Sequence, residues 1–314
     1  MPATSSPRAG LHEAVVARVD FGSCILMPGH GPPLDGTVKG SLRGPSKALG
    51  NAVVVGDRVH FQMDGGRAVV VAVVPRRNVL SRRAAGRRPA EQVVAANVDQ
   101  VVLVVSVLEP EFKPNFADRI LCQAEHAGIP ARIVINKIDL GSRDLALALL
   151  ADYARAGYAG QPVSAKSGEG IDHLRQACRG RRSLFVGHSG VGKSTLLNAL
   201  VPELNLLAAS VNPKTGKGRH TTTAAWLLRP EPDLELIDTP GVRTFALWGI
   251  GPCDLDQAYP EFRRFLGECR FANCRHDREP ECAVREGVAA GLIAARRHSS
   301  YLKLRAELKA EGPP

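Results

Sequence analysis

The stretch Gly187-His188-Ser189-Gly190-Val191-Gly192-Lys193-Ser194-Thr195 carries the G-x-x-x-x-G-K-S spacing of a phosphate-binding loop. Asn136-Lys137-Ile138-Asp139, a pattern suited to reading guanine, stands before it in the chain rather than after it. The usual order in such proteins is phosphate loop, switch I, switch II, base-reading motif and base-supporting loop. Here the last two have moved to the front, which is the order a circular permutation produces. This order demands an α/β nucleotide-binding fold with relocated chain ends. Everything beyond switch II becomes a C-terminal element to which nucleotide state can be passed directly.

The context of each motif supports this reading. Runs such as VDQVVLVVSV, RIVINK, QPVSAK and SLFVGH are continuously apolar, as expected of parallel strands covered on both faces, and FADRILCQAEHAG and RDLALALLADYARAG have helical periodicity. The phosphate loop falls between SLFVGH and a helix expected to begin at Lys193. Its glycines let backbone N–H groups surround a β-phosphate at a helix N-terminus. Lys193 is expected to bridge the β- and γ-phosphates and Ser194 to ligate Mg2+. The Asp139 carboxylate can accept from N1–H and the 2-amino group of guanine, whereas adenine offers neither donor. Asn136 is placed to brace neighbouring loops, and Lys137 to lay its stem on the purine face. Ser164-Ala165-Lys166 ends another strand and fits the base-supporting loop, with the Ala165 N–H directed at O6. Both short motifs lie at C-terminal ends of parallel strands, where such sheets bind ligands.

Downstream, LELIDTPG puts Asp238 at a strand end, suited to holding Mg2+ through water, and Gly241 where its N–H can meet the γ-phosphate. Between them lies KTGKGRHTTT, the switch I segment, where Thr221 or Thr222 is expected to complete the Mg2+ shell. Val242 occupies the position at which a water-orienting glutamine would stand, and an apolar side chain cannot do that work. His220 is therefore the candidate for positioning or deprotonating the attacking water, as against a plain surface histidine on a loop. Slow intrinsic hydrolysis that needs an activating partner is expected.

From Leu11 to about Leu80, short β-like runs broken by Gly, Pro, Asp and Asn suit a small closed β domain of five strands, of OB or SH3-like type. Arg76, Arg77, Arg82, Arg83, Arg87 and Arg88 follow, with no acidic residue until Glu91, and read as a basic linker, either a solvated tether or a phosphate-contacting arm. The formal charge of +10 favours a polyanionic partner over a merely basic surface. No run approaches the roughly 20 apolar residues of a membrane span, and MPATSSPRAG lacks a signal-peptide core, so a cytoplasmic protein without membrane contact is expected. No self-association signal is present, which favours a monomer.

Seven cysteines in such a chain argue against a disulfide framework. Cys269, Cys274, His276 and Cys282 form C-x4-C-x-H-x5-C, three thiolates and an imidazole that fill a tetrahedral shell, so the expected metal is one structural Zn2+. The stretch from Cys282 onward reads as helix to the end.

These residues together resemble the RsgA family, also called YjeQ, of bacterial small-subunit-dependent GTPases. The resemblance spans essentially the whole chain through NKID, SAK, GHSGVGKST, GRHTTT and DTPG in permuted order and then the zinc pattern. It implies a multidomain chain. An OB-type β-barrel with a short disordered N-terminus covers 1–80, and the basic linker 81–92. A circularly permuted α/β P-loop GTPase domain covers 93–245, and a mostly helical zinc domain 246–314. It further implies GTP and GDP as ligands and the small ribosomal subunit with its ribosomal RNA as partner. Binding is expected in the GTP state, with hydrolysis to GDP and phosphate speeded by the subunit late in its maturation, and release afterwards. Two other classes compete with this expectation: a GTP-gated switch acting on a non-ribosomal RNA, and a metal-handling chaperone, which a closed four-ligand set disfavours.

Overall fold

A computed structural model describes residues 10–20, 22–42, 53–84, 86, 89–202, 225–241 and 244–311. Switch I, Val242 and the extreme N-terminus expected to be disordered lie outside these.

Five strands, β1 (His12–Asp20), β2 (Ser23–Pro28), β3 (Leu34–Val38), β4 (Arg58–Asp64) and β5 (Arg67–Val73), close on themselves in the order β1-β2-β3-β5-β4-β1. Only β3–β5 is parallel, which gives an OB-type barrel. Alternate residues point inward, and Val16, Leu26, Val59 and Val70 are fully buried in its core. A bulge between Val16 and Arg18 bends β1. Its first half pairs with β4, while Arg18 beyond the bulge pairs with Trp226. The barrel is thereby continuous with the second sheet.

That sheet has the order β10-β9-β8-β11-β13-β12, formed by β8 (Gln100–Ser106), β9 (Ala131–Asn136), β10 (Ala159–Pro162), β11 (Arg181–Gly187), β12 (Trp226–Glu231) and β13 (Leu234–Asp238). All its pairings are parallel except β12–β13. Strand β8 is buried along its whole length. Val101, Leu103 and Val105 pack on the side of α1 (Pro114–His126) and α2 (Arg143–Arg155). Val102 and Val104 face α3 (Ile171–Cys178) and α4 (Lys193–Leu200). This two-sided burial explains why the strand sequences are continuously apolar.

The segment expected as a linker is instead largely a two-stranded antiparallel ribbon, β6 (Val79–Arg83) with β7 (Glu91–Ala96). Its described arginines clamp parts of the molecule together. Arg76 forks onto the buried Asp57 at 2.7 and 2.9 Å, and Arg77 meets Asp99 at 2.8 Å. Arg82 donates to Gln92 at 3.0 Å, and Arg83 reaches Glu311 of the last helix at 2.7 Å. A free arm of phosphate-contacting arginines is therefore not what 76–83 provides. The barrel is also held to the second sheet at Gly56, whose carbonyl accepts from Arg182 at 2.7 Å and Asn97 at 3.0 Å. Gly56 has φ +87°, and a Cβ there would lie 2.2 Å from the Ala96 carbonyl oxygen, so only glycine permits this approach.

The single C-terminal helix expected after Cys282 is two helices, α5 (Ala283–Ala289) and α6 (Ala295–Glu311). Gly291 at φ +71° ends the first, with the Leu292 and Ile293 N–H groups donating to the Gly287 carbonyl. The turn lets α6 fold back onto α1 through a core that includes Tyr259, Phe262, Tyr301 and Leu304.

Candidate nucleotide site and metal centre

The C-terminal ends of β8, β9, β10 and β11 converge on one cavity of about 190 Å³, lined by Glu109, Asn136, Lys137, Asp139, Leu140, Ala165, Lys166, Gly192 and Thr195. Asn136, at the end of β9, ties these ends together. Its Nδ2 donates to the Val191 carbonyl at 3.0 Å, while its Oδ1 accepts from the Ala165 N–H at 3.0 Å. One buried amide thus fastens the phosphate loop to the base-supporting loop, and leaving either partner unpaired costs about 1–3 kcal/mol. Gly192, at φ +85°, permits this closeness, because a Cβ there would sit 2.6 Å from the Asn136 Nδ2.

Ser164 donates to the Asp139 carboxylate at 2.7 Å, and the Ser167 N–H donates to the Ser164 hydroxyl at 3.1 Å, so the aspartate is held in place while staying exposed in the cavity wall. Ile138 is buried beneath the motif, its N–H reaching the Val163 carbonyl at 3.3 Å. Lys137 adopts the left-handed conformation at φ 68°, and its ammonium donates to the Glu109 carbonyl at 2.6 Å.

The phosphate loop leaves β11 at the buried Gly187, passes the exposed Ser189 and Gly190, and enters α4 at Lys193, with Ser194 and Thr195 in the first turn. His188 stacks edge-on against Phe116 of α1, ring centroids 5.4 Å apart. Lys193 and Asp238 are both buried and form an ion pair. The end of β13 is pinned by Thr239, which donates to the Phe185 carbonyl at 2.7 Å. Gly241 lies against Ser189, a Cβ on it falling 3.3 Å from the Ser189 Cα. Asp238-Thr239-Pro240-Gly241 therefore borders the phosphate loop. His220, Thr221 and Thr222 lie outside the described residues. Glu109 and Leu140 line the cavity without having been read from the sequence. The available signal was position alone, since Glu109 follows the C-terminal end of a parallel strand.

The four residues of the metal pattern gather with their ligand atoms all within 4.8 Å of one another. His276 Nδ1 lies 3.6 Å from the Cys269 sulfur and 3.4 Å from that of Cys282, and those two sulfurs are 3.9 Å apart. Bonds of about 2.3 Å to sulfur and 2.0–2.1 Å to nitrogen put tetrahedral ligand atoms about 3.5–3.8 Å apart, so the spacing fits zinc. His276 reaches this place through a left-handed backbone at φ 60°. Its other ring nitrogen is buried without a hydrogen-bond partner and faces the Asp256 carboxylate at 3.7 Å, the place from which a carboxylate orients a ligating imidazole. Burial opposes a Cys269 thiolate, but the N–H groups of Ala283 and Val284 at the start of α5 help hold its pKa below the ordinary value. Burial pushes the Cys274 thiol up to about 12. The protein thus eases ionisation of Cys269, whereas burial raises the Cys274 and Cys282 thiols, whose ionisation a bound cation would favour. The four ligands make a Cys3His cluster.

Fold and site together define a circularly permuted GTPase with an OB-type barrel before it and a Cys3His module after it. A family model described as RsgA GTPase matches residues 73–248, more than half of the chain. The chain belongs to the RsgA GTPase family and is a GTP phosphohydrolase. It is 46% identical over 275 residues to the "Small ribosomal subunit biogenesis GTPase RsgA" of Gemmatimonas aurantiaca, covering 85% of this chain and 89% of that one. The protein of the same name from Chlorobaculum parvum is 42% identical over 299 residues, covering 92% and 96%. Among solved structures, YjeQ from Thermotoga maritima is similar with a TM-score of 0.73 at 32% identity, over 95% of this chain and 99% of that chain.

Proposed function

We propose that this GTPase binds the small ribosomal subunit and acts late in its maturation, and that the subunit stimulates hydrolysis and is released after it. The near full-length likeness to two proteins named for small-subunit biogenesis carries this reading. The net charge of +10 supports ribosomal RNA as part of the contact surface. Small-subunit maturation puts the work in the cytoplasm, with the chain acting as a monomer. Among the described residues no helix is long and apolar enough to cross a membrane.

In this reading Asp139 selects guanine, the Ala165 N–H turns from the Asn136 side-chain oxygen to O6 when the base binds, Lys137 covers the purine, and the N–H groups of residues 189–194 receive the β-phosphate. The Lys193 ammonium exchanges Asp238 for phosphate oxygens when GTP binds. Ser194, Asp238 through water, and Thr221 or Thr222 hold Mg2+, which neutralises charge on the β- and γ-phosphates. His220 positions the attacking water, because Val242 cannot. Activation by the subunit then consists in completing the catalytic site around His220, so that the water is held in line.

Cys269, Cys274, His276 and Cys282 would hold one Zn2+, which would close the segment 269–282 on itself immediately before α5. Elemental analysis of the purified chain should give about one zinc per molecule, and Cys282→Ser should bring it well below one, since a closed structural site needs all four ligands. A zinc-free protein with an unchanged melting profile would contradict the site.

Release after hydrolysis requires differential affinity, and a 100-fold weaker complex in the GDP state corresponds to about 2.7 kcal/mol of coupling. Switch II runs straight into the C-terminal module, which gives the coupling a direct covalent route. Sedimentation with purified small subunits should show tight binding with a non-hydrolysable GTP analogue and about 100-fold weaker binding with GDP. Equal affinity in both states would overturn the release step.

A further inference from the structure

We propose that Glu109 recognises the ribose of the bound guanine nucleotide, its carboxylate accepting hydrogen bonds from the sugar hydroxyls. The inference rests on reading the cavity as a guanine-nucleotide site.

The cavity wall divides according to the parts of such a ligand. Asp139, Ala165 and Lys166 stand at the base end, and Gly192 and Thr195 at the phosphate end. Sugar lies between base and phosphates in any nucleotide, so a residue not taken by either end is placed to meet it. Glu109 fits that description, and besides Asp139 it is the other carboxylate of the lining.

Its backbone is fixed at the rim. The Lys137 ammonium donates to the Glu109 carbonyl at 2.6 Å, and the Ser106 hydroxyl, at the end of β8, donates to the Pro110 carbonyl at 2.7 Å. The Phe112 N–H closes the same loop onto the Val107 carbonyl at 3.3 Å. The lysine whose stem is placed along the purine thus also anchors the residue beside it. The loop follows the C-terminal end of a central parallel strand, where acidic side chains of other nucleotide-binding sheets take ribose hydroxyls.

The chemistry favours the same assignment. An ionised carboxylate only accepts, and two neighbouring hydroxyls can both donate to it. Next to a polyphosphate it would be repelled, and against the guanine N1–H edge it would duplicate Asp139. The hydroxyls are the part of the ligand that a second carboxylate serves.

The test is an equilibrium titration of the full chain with GDP, 2′-deoxy-GDP and 3′-deoxy-GDP in the presence of Mg2+, using the unaltered protein and Glu109→Ala and Glu109→Gln. Hydrogen bonds to a charged group predict that removal of one hydroxyl weakens binding to the unaltered protein about 10-fold. Glu109→Ala removes both hydrogen bonds, so it should weaken GDP by more than either deoxy change does, up to about 100-fold, and bind all three ligands within about 2-fold of one another, with Glu109→Gln in between. Glu109 is exposed, so the substitutions leave the fold intact. Equal affinity of the unaltered protein for GDP and its deoxy analogues, or equal weakening of all three ligands by Glu109→Ala, would overturn the assignment. Failure to bind GDP, or equal binding of ADP, would overturn the guanine reading itself and the inference with it.

Discussion

Asp139→Asn is expected to lower GTP affinity by about 10^3-fold or more and to make xanthosine triphosphate the better ligand. In the proposed reading the carboxylate accepts from both N1–H and the 2-amino group of guanine. An asparagine at that place offers one acceptor and one donor, which matches the N1–H and 2-oxo group of xanthine and leaves guanine with two donors face to face at position 2. Ser164 can still donate to the asparagine oxygen as it does to Asp139, so the side chain stays in place. Competition titrations with GTP, XTP and ATP check the result. Retained guanine preference would mean that the base is read elsewhere.

The second large effect lies far from the nucleotide. Arg297 on α6 is 1% exposed, forks onto Glu261 at 2.7 and 3.1 Å and reaches Asp118 of α1 at 2.5 Å. Its guanidinium carbon also lies 4.4 Å from the centre of the Tyr259 ring, and Tyr153 of α2 donates to Asp118 at 2.9 Å. Burial disfavours the guanidinium, yet Asp118 and Glu261 outweigh it and hold its pKa well above the ordinary value. Arg297→Met should therefore destabilise the protein by about 3–5 kcal/mol, because two buried carboxylates lose their counter-ion. Replacing Asp118, Glu261 and Arg297 together with apolar residues of similar volume should recover most of that loss. Urea unfolding of both variants decides it, and a single substitution costing under about 1 kcal/mol would show that the cluster does not hold the C-terminal module to α1.

Legibility in the sequence followed how local each cause was. The parallel sheet could be read because both faces of β8 are covered, which makes its sequence apolar without alternation. The barrel could be read as closed and five-stranded because turn residues punctuate short alternating runs. Its OB topology was not in the pattern, since it depends on the parallel closure of β3 on β5. The convergence of the base-reading, base-supporting and phosphate loops follows from their places at strand ends. Asn136, which joins them, carries its role in its motif. What could not be read depends on distant partners. The arginines at 76–83 look like a solvated charge run until Asp57, Asp99 and Glu311 are brought beside them, the last 228 residues further on. Arg297 sits in the polar stretch RRHSSYLKLR, where nothing local marks it as fully buried. Glu109 belongs to no motif, and only the cavity reveals it. The roles read for His220, Thr221 and Thr222 rest on sequence, as these residues lie outside the described ones.

The central claim is that a partner of defined kind completes the catalytic site. It is tested most directly by GTP turnover of the purified chain, alone and with small ribosomal subunits, with large subunits and bare ribosomal RNA as controls, at fixed salt concentration. Turnover should be slow alone and strongly stimulated by small subunits only, with the stimulation abolished by His220→Ala. Equal stimulation by bare RNA, or none by small subunits, would contradict it and favour a nucleotide-gated RNA switch instead.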